Sequence, residues 1–218
     1  MSSASQLNDK QLEAMKYVQG PLLVLAGAGS GKTSVITRKV AYLVQQCGIP
    51  AYRITAMTFT NKAAREMKER VGKLLSREEA KGLSVSTFHT FGLNLLRLEL
   101  KHLPLKANCS ILDADDCKRI LMDLMQRDNM SGAESKELIA KAMKRISEWK
   151  NDLIVPEQVH SACETPEDVH FAHLYQLYER NLRAYNAVDF DDLIAMPTRL
   201  LQENAEVRDK WQNRVRYL

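Results

Sequence analysis

The amino-acid sequence predicts an α/β fold in which helices cover both faces of a parallel sheet, with an all-α subdomain inserted into that sheet. Three observations lead to this prediction. Strand-like and helix-like segments alternate over residues 1–92, helical periodicity dominates residues 93–188, and residues 189–218 return towards a strand-like ending. These three ranges are the predicted domains: the first part of the sheet domain, the inserted helical subdomain, and the return to the sheet domain.

The first range contains three short apolar runs of the length and composition of buried strands, at residues 22–25, 54–59 and 83–87. Helical periodicity predicts helices at residues 9–18, 32–47 and 61–75. A strand that alternates with a helix in this way is typical of parallel β-α-β units.

The inserted range shows helical stripes of apolar residues, one after the acidic segment "DADD" and another that ends at Trp149. Thr165 and Asp168 have the spacing of a capping box, with Pro166 at the first helical position. The final residues, "RVRYL", resemble the beginning of another strand.

Composition narrows the functional classes. The chain has 218 residues, of which 45% are hydrophobic, and no apolar run approaches the length of a membrane span. The four cysteines show no C-x-x-C spacing, which indicates reduced thiols and not a zinc site. We therefore expect a cytoplasmic protein without a membrane partner. The net charge of +4 permits an anionic partner but does not require one.

A glycine-rich loop, "AGAGSGKT" at residues 26–33, follows the first predicted strand and opens a predicted helix. Glycines allow a tight turn whose backbone N–H groups, with the helix N-terminus, form an anion site suited to phosphate. Lys32 can reach the terminal phosphates, and the hydroxyl of Thr33 can bind Mg²⁺. The first position of the usual pattern is glycine, whereas this chain has Ala26.

Two polar and aromatic stretches follow the second and third predicted strands. They are "TFTNKAAREMKERV" and "STFHTFG", and both should lie at the carboxyl edge of the sheet, where ligands of open α/β sheets bind. Their hydroxyls, amide and lysine suit phosphates, and their aromatic rings suit stacking on bases, which together favours single-stranded nucleic acid. Phe59 and Phe88 could equally be core residues.

Together with "LNDKQLEAM", these motifs resemble the superfamily 1 DNA helicases of the UvrD/Rep/PcrA family, and the likeness is closest to the Rep-like members. It covers the whole chain. The resemblance implies a P-loop NTPase fold with a RecA-like sheet. It also implies that Lys32 and Thr33 are catalytic, that Thr33 is the metal ligand, and that ATP and Mg²⁺ are the cofactors.

The resemblance also implies two sets of binding residues. The expected nucleotide-binding residues are Gln11, Ala26, Gly27, Ala28, Gly29, Ser30, Gly31, Lys32, Thr33 and Arg38. The expected DNA-binding residues are Phe59, Thr60, Asn61, Lys62, Thr87, Phe88, His89 and Phe91. Gln11 offers both a donor and an acceptor, which can pair with the adenine edge.

By resemblance, the parent protein is an ATP-dependent motor of DNA replication and repair that moves 3′ to 5′ on single-stranded DNA and unwinds duplexes. Its expected partners are single-stranded DNA, duplex junctions, and replication or repair proteins. The chain is expected to be an N-terminal fragment that ends just before the Asp-Glu (Walker B) motif and does not hydrolyse ATP by itself. The alternative is a non-enzymatic fragment that binds nucleotide or protein without turnover.

One acidic stretch, "VDFDDL", could be mistaken for the metal-binding end of a strand. It lacks a preceding run of apolar residues and continues with helical spacing. We therefore expect Asp189, Asp191 and Asp192 to cap a helix or to orient basic neighbours.

Overall fold

The computed structural model describes residues 7–128 and 136–218 as a mixed helix-and-strand protein with small parallel sheets. The chain forms two compact units. One unit comprises Met1–Phe88 and Asp209–Leu218, and the other comprises His89–Arg208. The three domains inferred from the sequence stay a prediction.

The first unit begins with α1 (Asp9–Lys16), α2 (Lys32–Gln45), β1 (Thr55–Thr58), α3 (Asn61–Gly72) and β2 (Ser84–Thr87). These helices and the second and third predicted strands are confirmed, although each helix ends slightly earlier than predicted. Strands β1 and β2 pair in parallel, in a register that places Thr58 opposite Thr87. Helix α3 makes the crossover between them, as parallel strands require.

The C-terminal residues add a further parallel contact to this sheet. Tyr217 forms a parallel bridge with Ile54, and its carbonyl accepts from the Thr55 N–H at 2.8 Å. The predicted strand beginning in "RVRYL" is therefore confirmed as a strand-like pairing. Side chains from α2, from α3 and the turn after it, and from the residue before β1 form one core cluster: Val40, Ala41, Leu43, Ile54, Val71 and Leu75.

The prediction of a buried strand at residues 22–25 is wrong. The segment has no regular secondary structure, and Leu23 and Leu25 are 82% and 87% exposed. Within residues 7–128 and 136–218, strand ladders join β1 to β2 and β3 (Ser110–Ile111) to β4 (Ala187–Val188), and neither ladder includes this segment. An apolar run cannot form a stable strand without a neighbour that satisfies its backbone groups.

The second unit is mainly helical. Its elements, apart from β3 and β4, are α4 (Phe88–Leu98), α5 (Ala114–Arg127), α6 (Lys136–Asn151), α7 (Pro166–Ala184), α8 (Asp192–Glu203) and α9 (Ala205–Arg214). The first residue of α4 and the last turns of α9 belong to the other unit. Helices α5, α6 and α7 enclose the main core, and Trp149 lies there almost fully buried, stacked on Tyr175.

Helix starts in this unit follow the sequence signals. Thr165 caps α7 through a hydrogen bond from the Asp168 N–H, Asp168 completes the predicted capping box, and Pro166 is the first helical residue. Asp113 caps α5 in the same way, with Asp116 as its partner.

Helices α4 and α8 approach each other closely at a glycine. A Cβ atom on Gly92 would lie 1.8 Å from the carbonyl oxygen of Leu193. Pro197 lies four residues further along α8 and has no N–H to donate to that carbonyl. Its ring also clashes with the position that the Leu193 carbonyl would take in a regular helix. Glycine is therefore required on α4 at the place where α8 presents this carbonyl.

Candidate functional site

The glycine-rich loop leads directly into the N-terminus of α2. Gly29 and Gly31 have φ angles of 74° and 81°, in the left-handed region that residues with a side chain rarely adopt. Gly31 is the N-cap residue and makes no side-chain cap. The first N–H groups of α2 therefore lack an intrahelical acceptor and can donate to an anion at this helix end.

Lys32 folds back onto the loop that it follows. Its Nζ atom donates to the carbonyl oxygens of Ala26 at 2.9 Å and Gly27 at 2.6 Å. The exposed ammonium group therefore lies beside the loop backbone. An anion bound there could replace the two carbonyls as its acceptor, because charge-assisted hydrogen bonds are stronger. Thr33, half-buried in the first turn of α2, adds one hydroxyl oxygen to this helix end.

Gln11 joins α1 to the loop. Its Oε1 atom accepts from the Asn8 N–H at 2.9 Å, which completes a capping box, and its Nε2 atom donates to the Ser30 carbonyl at 3.0 Å. The structure thus brings this predicted residue to the loop, although the two lie 19 positions apart in the sequence. Arg38 lies half-buried on α2, two turns beyond the loop.

Aromatic rings meet at the carboxyl edge of the β1–β2 sheet. Because Thr58 and Thr87 pair, the residues that follow both strands emerge side by side. Phe59 is 90% exposed and Phe88 is 41% exposed, and their ring centroids lie 5.5 Å apart at an interplanar angle of 47°. Neither ring is a core residue, and together they present an aromatic surface to solvent.

The start of α3 lies at the same edge. Thr60 is its N-cap and accepts from the Ala63 N–H at 3.1 Å, while Asn61 and Lys62 are exposed in the first turn. Thr87 is buried at the end of β2, so its side chain has the least access to a ligand among the residues at this edge. A helix N-terminus, an amide, an ammonium group and two aromatic rings therefore converge beside this pair of strands.

His89 and Phe91 belong to the second unit. His89 is exposed, and its ring meets the edge of the Phe190 ring at a centroid distance of 5.6 Å and an angle of 71°. Phe91 is half-buried on α4. Phe190 is 51% exposed and was not predicted from the sequence. Its one available signal was the presence of a large apolar residue among the acidic residues of "VDFDDL".

A buried charge cluster holds the backbone on both sides of Phe190. Lys150 Nζ lies 2.7 Å from Asp189, 2.9 Å from Asp192 and 2.7 Å from Glu179, and Tyr178 donates to Asp189 at 2.9 Å. Asp189 and Asp192 also accept each other's backbone N–H groups. Asp189 therefore accepts from the N–H of Asp192, the first residue of α8, whereas the N-cap residue Asp191 makes no side-chain cap. The expected pairing with a basic residue is present at Asp189 and Asp192, through Lys150.

Burial and mutual repulsion set the ionisation of this cluster. Burial raises the pKa of Asp192 to about 7, and Asp189 and Glu179 add to this effect, while Lys150 opposes it. Burial also tends to raise the pKa of Asp189, but Lys150 and the hydrogen bonds hold that pKa below its ordinary value. Burial lowers the pKa of Lys150, but the surrounding carboxylates outweigh this effect and raise it.

Among the residues that the structure describes, no three His, Cys, Asp or Glu side chains are grouped so that they could hold a metal ion. His170 contacts the Pro166 carbonyl within α7, and His173 lies 3.3 Å from Asp128. All four cysteines lie in described regions and are free thiols.

Comparison with known families identifies the group to which these features belong. The sequence profile described as UvrD/REP helicase N-terminal domain matches residues 7–218. The chain belongs to this family. The match includes the loop, the sheet edge and the buried charge cluster.

Individual relatives agree with the family. The chain is 51% identical to ATP-dependent DNA helicase Rep of Escherichia coli (strain K12) over 213 residues, which cover 98% of this chain and 31% of that protein. Identity to ATP-dependent DNA helicase PcrA of Staphylococcus aureus (strain Mu50 / ATCC 700699) is 37% over 215 residues, covering 98% and 29%. The chain thus spans about a third of the length of these relatives.

Among the helices in residues 7–128 and 136–218, none combines the length and the apolar character that a bilayer crossing requires.

Proposed function

We propose that this chain is the N-terminal, ATP- and DNA-binding part of an ATP-dependent helicase that moves 3′ to 5′ on single-stranded DNA and unwinds duplexes. The observation that carries the proposal is the glycine loop at the uncapped start of α2, with the Lys32 ammonium group against its backbone. The names of the Rep and PcrA relatives, both ATP-dependent DNA helicases, support the same function.

The proposed fold of the first unit is a P-loop NTPase with a RecA-like sheet. Its support is the parallel β1–α3–β2 crossover, the parallel contact of Tyr217, and the loop that opens α2. Residues 93–188 are the proposed inserted helical subdomain, residues 1–92 the first part of the motor domain, and residues 189–218 its return.

Phosphate binding in this proposal changes the hydrogen-bond partners of Lys32 and of the loop N–H groups. The β- and γ-phosphates accept from the N–H groups at the start of α2 and from the loop of residues 26–31. Lys32 leaves the carbonyls of Ala26 and Gly27 and pairs with the phosphate oxygens. The exchange is favourable because a hydrogen bond between two charged groups is stronger than one to a neutral carbonyl.

Adenine and Mg²⁺ take the remaining polar groups. An amide has two donors and two acceptors, so Gln11 keeps one of each for the adenine edge while it holds Asn8 and Ser30. Arg38 is the proposed cationic neighbour further along α2. Mg²⁺ supplies charge neutralisation for the phosphates, and its hard oxygen preference fits the Thr33 hydroxyl as one ligand.

Single-stranded DNA is the proposed ligand of the carboxyl edge of the β1–β2 sheet. Phe59 and Phe88 offer faces for base stacking, and the start of α3 offers N–H groups, Asn61 and Lys62 for phosphates. Thr60 positions that helix start, and Thr87 supports the edge from within the sheet. His89, Phe91 and the newly identified Phe190 are the proposed DNA contacts of the second unit.

Calorimetric titration with ADP and Mg²⁺ tests the nucleotide site. We expect Lys32→Ala to weaken ADP binding by about tenfold or more, because it removes a charge-assisted contact to phosphate. Lys68→Ala is the matched control, since Lys68 is an exposed lysine on another helix, α3. Equal affinity in the wild type and the Lys32 variant would show that ADP binds elsewhere.

Phosphate release from ATP separates the motor from the non-enzymatic alternative. In the natural protein that carries this chain, the proposal predicts turnover that rises with oligo-dT and disappears in Lys32→Ala. Lys32-dependent ADP binding with no turnover under any DNA concentration would favour a nucleotide- or protein-binding module.

A further inference from the structure

The first helix of the chain is held in place by polar contacts at both of its ends. None of the eight residues of α1 is buried, and an isolated helix of this length is marginal in water. Near its N-terminus, Gln11 donates to the Ser30 carbonyl. Beyond its C-terminus, Val18 packs partly against the core of the first unit. Because no residue of α1 is fully buried, polar contacts at its ends contribute to its placement.

Lys39 provides the contact at the C-terminal end. Its Nζ atom donates to the carbonyl oxygens of Ala14 at 3.1 Å and Tyr17 at 2.5 Å, which are among the last carbonyls of α1. A cation at a helix C-terminus satisfies such carbonyls and complements the helix dipole. Lys39 is half-buried, and this burial lowers the pKa of its ammonium group.

The geometry links this lysine to the loop through α2. Lys39 lies seven residues, or about two helical turns, after Lys32, so its position relative to the loop is fixed by a regular helix. Lys39 therefore sets where the end of α1 lies along α2, and Gln11 lies five residues, or about one and a half turns, before the last residue of α1. The Gln11 amide is already close to the loop, since a Cβ on Gly31 would lie 3.1 Å from its Nε2 atom.

We propose that Lys39 is a positioning residue that holds α1 against α2, so that the Gln11 amide stands at the loop with one donor and one acceptor directed to adenine. This inference rests on the proposed nucleotide function. It assigns Lys39 to base selection and leaves phosphate binding to Lys32 and the loop. Loss of the ammonium group should therefore affect ligands that carry adenine and spare ligands that consist of phosphate alone.

The experiment compares ADP with tripolyphosphate by calorimetry in Lys39→Met, which keeps the aliphatic stem and removes the charge. We expect ADP binding to weaken by about fivefold, because hydrogen bonds to a charged group are lost, and tripolyphosphate binding to change by less than about twofold. Lys39→Arg should restore most of the ADP affinity. Lys16→Met, an exposed lysine in the last turn of α1, is the control and should bind both ligands like the wild type.

A double variant tests whether Lys39 acts through Gln11. Gln11→Ala should weaken ADP binding, and adding Lys39→Met to it should have little further effect, because residues that act as one unit are not additive. Fully additive losses, or equal losses for ADP and tripolyphosphate, would overturn the positioning role. If the wild type binds neither ligand, or Lys32→Ala binds both normally, the proposed nucleotide function fails instead.

Hydrogen exchange of the ligand-free protein provides an independent measurement. Lys39→Met should speed exchange in the peptide of residues 9–17, and exchange in α3 should stay unchanged. Unchanged exchange in residues 9–17 would contradict the claim that Lys39 holds α1.

Discussion

At the scale of single residues, the aromatic pair at the sheet edge gives a direct test of the DNA interface. Phe59 is almost fully exposed beside Phe88. Exposure of this apolar ring to water is unfavourable, and a ligand that covers the ring would remove that cost. Phe59→Ala should weaken oligo-dT binding by roughly 5- to 150-fold, since a base–aromatic stack is worth about 1–3 kcal/mol. Fluorescence anisotropy at low salt would measure this change.

Tyr52→Ala is the matched control for that variant. Tyr52 is also an exposed aromatic residue of the first unit, but it precedes β1, so it lies at the opposite end of the parallel strands. Losses of similar size in the two variants would show that DNA does not recognise the carboxyl edge.

Residue-level chemistry also makes the second unit sensitive to pH. Asp192 has a pKa of about 7 in the folded chain and the ordinary value of 3.8 when unfolded. Its protonated form therefore stabilises the folded state below pH 4, and this stabilisation is lost as pH rises towards 7. The lowered pKa values of Asp189 and Asp168 act in the opposite sense and only under more acidic conditions.

Between pH 5 and pH 8, the free energy of unfolding of the wild type should fall by about 2 kcal/mol relative to that of Asp192→Asn. Urea unfolding followed by Trp149 fluorescence, in a Trp211→Phe background, would report on this unit because the chain has only two tryptophans. Parallel pH profiles for the two proteins would show that Asp192 does not titrate in this window.

At the scale of elements, the contact between α4 and α8 should be intolerant of any side chain. Gly92→Ala would place a Cβ 1.8 Å from the Leu193 carbonyl, so the helices must separate, at a cost of about 1–3 kcal/mol or more. Gly72→Ala, with open space around the new Cβ in α3, should be neutral or slightly stabilising. Denaturant unfolding of both variants measures the difference, and equal stabilities would contradict the close approach.

Elements with local signals were predictable, and those that depend on distant partners were not. The capping box at Thr165 and the helix that begins within "VDFDDL" follow from neighbouring residues, and both are present. The run at residues 22–25 has the composition of a strand, but its structure depends on hydrogen bonds from another segment. The burial of Lys150 was not predicted, because a lysine side chain is usually solvated. Its three carboxylate partners lie on other elements, so no local sequence signal indicates the cluster.

At the scale of the whole molecule, motif spacing was more informative than total charge. The net charge of +4 is small for 218 residues and does not identify a nucleic-acid partner. The residues at the carboxyl ends of β1 and β2 could be grouped from the sequence, because parallel topology places such ends together. The pairing of His89 with Phe190 could not, since it depends on packing between segments about a hundred residues apart.

The salt dependence of DNA affinity distinguishes a local lysine–phosphate contact from an effect of total charge. Lys62 follows the carboxyl end of β1, whereas Lys81 precedes β2, so parallel pairing places these exposed lysines at opposite ends of the sheet. Lys62→Ala and Lys81→Ala change the net charge equally. If Lys62 contacts a DNA phosphate, its loss should lower the slope of log affinity against log salt by about one unit, whereas loss of Lys81 should leave the slope unchanged. Anisotropy titrations of oligo-dT at four or more salt concentrations give both slopes. Equal slopes in the two variants would mean that DNA senses only total charge, and that the edge bearing Phe59 and Lys62 is not the interface.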